Sequence, residues 1–176
     1  MVDTSFALPF AKLSKVAKFL KDISHLLFLD EENGQILSLT NVGGRSTGTF
    51  TPILPDHKHF NHKLDNTRYF GGKTNLTNGL SRIYYERRFL RNNALPVTIL
   101  ITAPVDYYLK AVDKELLSAL REKNRRILTV TIGNLPRNFE QVFNFHHFNL
   151  IQIPHWDNLS DLKYIYQVTK YLRNVV

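Results

Sequence analysis

Residues 96–102 have the sequence Pro-Val-Thr-Ile-Leu-Ile-Thr, a short run of apolar and β-branched side chains. Such a run is typical of a strand that is buried on both faces of a parallel sheet. A similar run occupies residues 126–132, and residues 111–124 between the two have a helical pattern. We therefore expect strands and helices to alternate along this half of the chain.

Helices and strands are also predicted in the rest of the chain. Apolar residues at helical spacing, separated by lysines, predict an amphipathic helix from Phe10 to Leu27 with both of these residues on its apolar side. The other predicted elements are strands at 35–42, 47–53 and 150–153, the first two forming a hairpin, and helices at 57–66, 76–90, 137–145 and 159–172. This order predicts an α/β fold, a Rossmann-like doubly wound, mostly parallel sheet flanked by helices, with ligands bound beyond the carboxyl ends of its strands.

Length and composition fit one domain over residues 1–176, with 43% hydrophobic and 22% charged residues. Lysine and arginine outnumber aspartate and glutamate by 23 to 15, so the surface favours anionic neighbours. The chain contains no cysteine, which excludes disulfides, thiolate zinc sites and cysteine nucleophiles. We find neither a signal peptide nor a membrane span in the sequence, so the protein is expected to be extracellular only if a signal sequence is missing here, and otherwise intracellular.

Three loops fall at predicted strand-to-helix junctions. They are Val-Asp-Thr-Ser at 2–5, Gly-Gly-Lys-Thr-Asn at 71–75 and Thr-Ala-Pro at 102–104. Together with the element order, these loops resemble a von Willebrand factor type A domain over nearly the whole chain, from Asp3 to about Leu172. The resemblance implies a protein-binding or adhesion module that contacts its partner through loops at the carboxyl edge of the sheet.

In that family a metal-ion-dependent adhesion site is built from an Asp-x-Ser-x-Ser loop, a threonine in the glycine-rich loop and an aspartate after the fourth strand. By this resemblance Asp3 and Ser5 match the first aspartate and the first serine, and Thr74 matches the threonine. Ala7 stands at the second serine and Ala103 at the later aspartate, and a methyl group cannot ligate Mg²⁺. We therefore expect an incomplete site that holds no metal or binds Mg²⁺ weakly.

The resemblance also implies which residues contact a partner protein, by way of an acidic residue of that partner. The predicted contact residues are Asp3, Ser5, Lys73, Thr74 and Asp106. Of these, Asp106 would reach the site only if the chain bends inward at Pro104, and an aspartate at the start of a helix is more often a surface cap.

The first strand departs from the family pattern. Family members have a full apolar strand before the aspartate, whereas here only Met1 and Val2 precede Asp3. That strand normally lies in the middle of the sheet, so its loss would leave the strands on either side without their shared neighbour. Two explanations are left open at this point: the sequence is incomplete, or the sheet has rearranged.

Two other patterns bear on catalysis. The Gly-Lys-Thr at 72–74 is the end of a P-loop motif, but Thr67 occupies the place of an upstream glycine that the motif needs. His57, His59 and His62 have metal-like spacing, although a surface helix explains them more simply than a zinc site. Since no nucleophile elbow, metalloprotease helix or pair of cleft carboxylates is found, we expect a protein that is not an enzyme.

Two segments are rich in basic residues, and the first also contains tyrosines; basic segments with aromatic residues can bind a phosphate backbone. The first contains Arg82, Tyr84, Tyr85, Arg87, Arg88 and Arg91, and the second contains Arg121, Lys123, Arg125 and Arg126. A nucleic-acid-associated protein that binds through these arginine-rich helices is therefore the alternative function. Two solvated helix faces remain the simpler explanation, because no motif of a nucleic-acid-binding module accompanies them.

Overall fold

A computed structural model describes residues 1–30, 34–44, 46–47, 56–85, 95–103, 110–134 and 148–175. The strands are β1 (Val2–Asp3), β2 (Asn41–Gly43), β3 (Ser46–Thr47), β4 (Val97–Thr102), β5 (Arg126–Ile132) and β6 (Phe148–Ile153). The α-helices are α1 (Leu13–His25), α2 (His57–Asp65), α3 (Leu76–Tyr85), α4 (Ala111–Glu122) and α5 (Leu162–Val175). The predicted helix at 137–145 and the end of the one predicted at 76–90 lie outside the described residues.

The strands form one six-stranded sheet in the order β3-β2-β1-β4-β5-β6. All neighbouring strands are parallel except β2 and β3, which pair antiparallel. The predicted doubly wound, mostly parallel sheet is therefore confirmed.

Two apolar cores lie on the two faces of this sheet. Ile101 and Leu128 face the larger core, whereas Leu100 and Ile127, their neighbours in sequence, face the smaller one. This is the two-faced burial expected of a run of apolar residues in a parallel strand. The larger core also contains buried residues of α1, α2 and α5 (Val16, Phe19, Leu20, Ile23, Phe60, Leu64, Ile165 and Val168), and the smaller one those of α3 and α4 (Leu76, Leu80, Leu117 and Leu120).

Strand β1 consists of two residues and lies in the middle of the sheet. Val2 is in register with Asn41 of β2 and with Ile101 of β4. Its backbone N–H donates to the carbonyl of Thr40 at 2.8 Å, and the N–H of Ile101 donates to the carbonyl of Met1 at 2.9 Å. The strands on either side thus keep a shared neighbour, and the sheet is not rearranged.

The predicted hairpin is present but shorter than expected. In place of a strand over 35–42, β2 covers Asn41–Gly43, and β3 covers Ser46–Thr47 at the start of the strand predicted at 47–53. Residues 48–55 lie outside the described part of the chain. The length of β2 follows from that of β1, since its parallel neighbour offers only two residues to pair with.

Two predicted helices each begin with a 3-10 turn. The helix predicted from Phe10 to Leu27 consists of a turn at Phe10–Lys12 followed by α1, and the closing helix predicted at 159–172 consists of a turn at Trp156–Ser160 followed by α5. The prediction that Phe10 faces the core is wrong: the side chain is 70% exposed. Because the 3-10 turn is wound more tightly than an α-helix, Phe10 is not in phase with the apolar stripe of α1.

Within the described part of the chain, no helix has both the length and the apolar character needed to cross a bilayer.

Candidate binding site at the carboxyl edge of the sheet

The site lies where β1 and β4 end, at the carboxyl edge of the sheet. The loop after β1 is tied to the rest of this edge by backbone hydrogen bonds. The N–H of Thr4 donates to the carbonyl of Val42 at 2.6 Å, and the N–H of Phe6 donates to the carbonyl of Gly72 at 2.8 Å. The N–H of Gly71 donates back to the carbonyl of Thr4 at 2.9 Å. The glycine-rich loop and the loop after β1 therefore form one connected backbone surface.

The carboxylate of Asp3 is fully buried at the centre of this surface. Its Oδ1 accepts a hydrogen bond from the backbone N–H of Ser5 at 3.0 Å. Its Oδ2 accepts from the hydroxyls of Thr102 at 2.7 Å and Thr74 at 3.2 Å. Three donors from three different segments thus converge on one buried carboxylate, an arrangement that offsets the cost of removing it from water.

A chain of hydrogen bonds leads to the carboxylate from the loop after β1. The backbone N–H of Ala7 donates to the hydroxyl of Ser5 at 3.2 Å, and the two hydroxyl oxygens of Ser5 and Thr74 are 2.8 Å apart. Since a hydroxyl has one proton and that of Thr74 is donated to Asp3, Ser5 is the donor in the contact between the two hydroxyls. Ser5 thus donates to Thr74, and Thr74 donates to the carboxylate.

The structure brings together Asp3, Ser5 and Thr74, three of the predicted site residues. Lys73 is exposed beside them, and Asp106 lies outside the described residues. The two positions where the family has oxygen ligands are close to the group as well. Ala7 donates through its backbone to Ser5, and Ala103 is buried directly after Thr102, whose hydroxyl contacts Asp3.

Thr102 belongs to this group but was not among the predicted site residues. Its hydroxyl makes the shorter of the two hydroxyl contacts to Asp3, and the residue is fully buried. A signal was available, because a threonine ends an otherwise apolar buried strand at the edge where ligands bind.

Two exposed phenylalanines, neither of them predicted as a site residue, lie in the segment that follows Asp3. Phe6 is 72% exposed, and its ring lies against Gly71, where a Cβ atom would be 2.9 Å from its Cε1. The ring of Phe10 meets that of Tyr69 edge-on, with centroids 5.6 Å apart. Both phenylalanines thus contact the segment that leads into the glycine-rich loop. Phe6, Phe10 and Tyr69 are called the aromatic patch below.

By the sequence resemblance, Ala7 and Ala103 stand at two positions whose oxygen ligands would be needed for the octahedral shell that Mg²⁺ prefers. The hydroxyls of Thr74 and Thr102 donate to the carboxylate of Asp3, and the hydroxyl of Ser5 contacts that of Thr74. The described residues contain no group of three histidine, aspartate or glutamate side chains that could hold a metal ion.

The histidines with metal-like spacing lie on α2 and do not converge. His57 stacks on His25 of α1 with ring centroids 5.1 Å apart, whereas His59 contacts Asp56, the residue before the helix. Hydrogen bonds from the backbone N–H and then the ring of His59 hold the pKa of Asp56 below its ordinary value. These contacts are those of a surface helix with an N-terminal cap.

The two basic segments meet at the other edge of the sheet, where α3 and α4 end. The ammonium of Lys123 lies 3.4 Å from the centroid of the Tyr84 ring, and Tyr84 meets Tyr85 edge-on. The covered face of Tyr84 is occupied within the protein itself and is not free to stack on a base. Arg87, Arg88 and Arg91 lie outside the described residues.

No protein-family model and no curated protein matches the chain. Solved structures do match. A structure of proximal thread matrix protein 1 from the mussel byssus superposes with a TM-score of 0.80 at 18% identity, covering 97% of this chain and 44% of that one. The SpRpn10 VWA domain has a TM-score of 0.70 at 16% identity, with 93% of each chain covered. Manganese-loaded TRAP protein of Plasmodium vivax has a TM-score of 0.68 at 17% identity, covering 93% of this chain and 70% of that one.

These likenesses concern the fold. The chain spans a little under half the length of the mussel byssus protein, but nearly the whole of the SpRpn10 domain. The mussel protein has also been solved with a zinc-occupied MIDAS motif.

Proposed function

The chain has the von Willebrand factor type A fold, and from this premise we propose that it is a non-enzymatic protein-binding or adhesion module. Its partner would be another protein, bound through the loops at the carboxyl edge of the sheet with weak or no dependence on metal. The contacts would come from the surface around Asp3, Ser5, Lys73 and Thr74, together with Asp106. Fold alone does not assign a function, so the proposal depends on the site.

The observation that carries the proposal is the closed group of hydrogen bonds at Asp3. The hydroxyls of Ser5 and Thr74 are engaged with each other and with the carboxylate, so the group is satisfied without a cation. The manganese-loaded and zinc-occupied structures belong to other proteins of the same fold, and here alanine occupies two positions that bear oxygen ligands in the family. Binding through the surface of this edge needs no ion at its centre.

Thermal unfolding tests the metal dependence. A ligand that binds only the folded state raises its stability, so we expect the melting temperatures in Mg²⁺, in Mn²⁺ and in chelator to agree within about 1 °C. The matched variant combines Ala7→Ser with Ala103→Asp, which restores the two missing oxygen ligands. We expect this variant to be less stable than the wild type in chelator, because two carboxylates are then buried together.

We expect Mg²⁺ to restore the stability that the double variant has lost and to leave the melting temperature of the wild type unchanged. At a free Mg²⁺ concentration about tenfold above Kd, binding would add about 1.4 kcal/mol to the free energy of unfolding. A clear rise in the melting temperature of the wild type with Mg²⁺ would contradict the metal-independent part of the proposal.

Binding at the carboxyl edge is tested with peptides selected from a random-peptide library on the immobilised chain. We expect Lys73→Glu to weaken binding of the selected peptides about tenfold or more, because it places a negative charge beside a surface that favours acidic partners. Arg121→Glu is the control, since Arg121 is also exposed but lies near the end of α4, at the opposite edge. The readout is Kd by fluorescence anisotropy, with and without chelator.

Equal Kd values for the wild type and Lys73→Glu, with a loss in Arg121→Glu, would place binding at the other edge. That result would contradict the proposed function.

A further inference from the structure

The aromatic patch is unusual for the position it occupies. Phe6 and Phe10 are large apolar side chains that are 72% and 70% exposed, and both lie within seven residues of the buried carboxylate of Asp3. Exposed aromatic side chains that cluster at one place on a surface mark interaction sites, whereas single exposed apolar residues are ordinary. The patch is a cluster, because Phe10 packs on Tyr69 and Phe6 lies over Gly71, two residues further along the same segment.

The patch is held in place by backbone contacts. The N–H of Phe6 donates to the carbonyl of Gly72, so the residue that bears the first ring is bonded to the loop beneath it. A ring that is already ordered before binding loses less conformational entropy when a partner covers it. Aromatic residues with few rotatable bonds are for this reason enriched among those that dominate binding energy.

The charged residues in the two chain segments that contain the patch are all basic. Residues 4–21 and 66–75, which contain the whole patch, carry only lysine and arginine among their charged residues. Arg68 and Lys73 are exposed on either side of the 69–72 segment, and within the described part of the chain neither is in an ion pair. The carboxylate of Asp3 is fully buried and does not face solvent here. A partner that covers these rings would therefore gain from carboxylates on either side of its apolar contact.

We propose that the aromatic patch is the main contact of the carboxyl edge and that it binds a protein segment with an aromatic or aliphatic side chain flanked by aspartate or glutamate. This inference rests on the proposed function, since it names the chemistry of the partner at the same edge. It adds that the principal contacts are apolar, from Phe6 and Phe10, and that Arg68 and Lys73 select for acidic neighbours. None of these contacts involves a metal ion.

Selection of peptides with a built-in comparison tests the inference. The random-peptide library is selected in parallel on the wild type and on the double variant Phe6→Ala with Phe10→Ala. We expect the enriched peptides to contain Phe, Trp, Tyr or Leu beside Asp or Glu. We also expect their Kd to weaken at least about tenfold on the double variant. Rising salt should weaken binding, because the exposed charges are screened.

Phe28→Ala is the matched control. Phe28 is also an exposed phenylalanine, at 66%, but it follows the end of α1. That helix has 13 residues and leads away from the carboxyl edge, which places Phe28 about 20 Å from the patch along the helix axis. We expect this variant to change Kd by less than about twofold. Because all three side chains are exposed, both variants should unfold at the wild-type temperature, which a melting curve checks.

The possible outcomes separate this inference from the proposed function. Peptides that bind Lys73→Glu more weakly than the wild type, but bind the double variant as tightly as the wild type, would overturn the proposed aromatic contact. They would leave the proposal of binding at the carboxyl edge intact. Peptides that bind both of these variants as well as the wild type would overturn both proposals. Enriched peptides without acidic residues, or no enrichment on the wild type over the double variant, would overturn the partner chemistry stated here.

Discussion

Replacing Asp3 with alanine is expected to lower the free energy of unfolding by roughly 4 kcal/mol. The substitution leaves three donors without their acceptor: the buried N–H of Ser5, the buried hydroxyl of Thr102 and the half-buried hydroxyl of Thr74. Hydrogen bonds to a charged group contribute about 1.5–3 kcal/mol each, and part of that sum is regained because a carboxylate no longer has to be buried. For a chain of this length the loss corresponds to a fall in melting temperature of about 10 °C.

Asp3→Asn is the control for this prediction. The amide keeps an acceptor for the N–H of Ser5, and its NH₂ group can donate to hydroxyls that rotate to accept. We expect Asp3→Asn to lose about half as much free energy of unfolding as Asp3→Ala. Urea unfolding followed by the fluorescence of the single tryptophan, Trp156, gives both values. An alanine variant as stable as the wild type would mean that the hydrogen bonds at Asp3 contribute no net stability.

Gly72→Ala is expected to cost roughly 3 kcal/mol, for two separate reasons. Gly72 has a φ of +71°, a region that side chains other than glycine rarely adopt. A Cβ atom there would also lie 2.6 Å from the Cα of Gly44, so two backbone segments would have to separate. Because the N–H of Gly44 donates to the carbonyl of Lys73, their separation would also disturb the loop that carries Thr74.

Gly133→Ala distinguishes the two reasons. Gly133 has a φ of +90°, but no atom lies within 4 Å of the position of a Cβ. This variant therefore carries only the conformational strain, about 1–2 kcal/mol. Equal losses in the two variants, measured by urea unfolding, would mean that the close approach of Gly44 and Gly72 is relieved without cost.

Much of the fold could be predicted from the sequence, because burial on both faces gives β4 and β5 continuous apolar runs. The same rule fails for β1, which has too few residues to form a recognisable run. Its central place depends on pairing with residues about 40 and 100 positions away. The length of β2 was overestimated for the same reason, since a strand can pair only as far as its neighbour extends.

The site was predicted in part. The carboxylate, the serine and the threonine of the glycine-rich loop follow a spacing that can be matched to a family pattern. The hydroxyl of Thr102 follows no such spacing, because only the parallel pairing of β1 and β4 places it next to Asp3. The exposure of Phe10 was not predicted because it depends on where a 3-10 turn ends and the α-helix begins.

The two-residue central strand also has a consequence for synthesis on the ribosome. Ile101, the partner of Val2 in β4, is made 99 residues after it. At about 5–20 residues per second this delay lasts roughly 5–20 s, during which β1 has no neighbour on that side. Thr102, whose hydroxyl donates to the carboxylate of Asp3, is likewise made 99 residues after it. The group of hydrogen bonds at Asp3 is therefore completed only after residue 102 has been made.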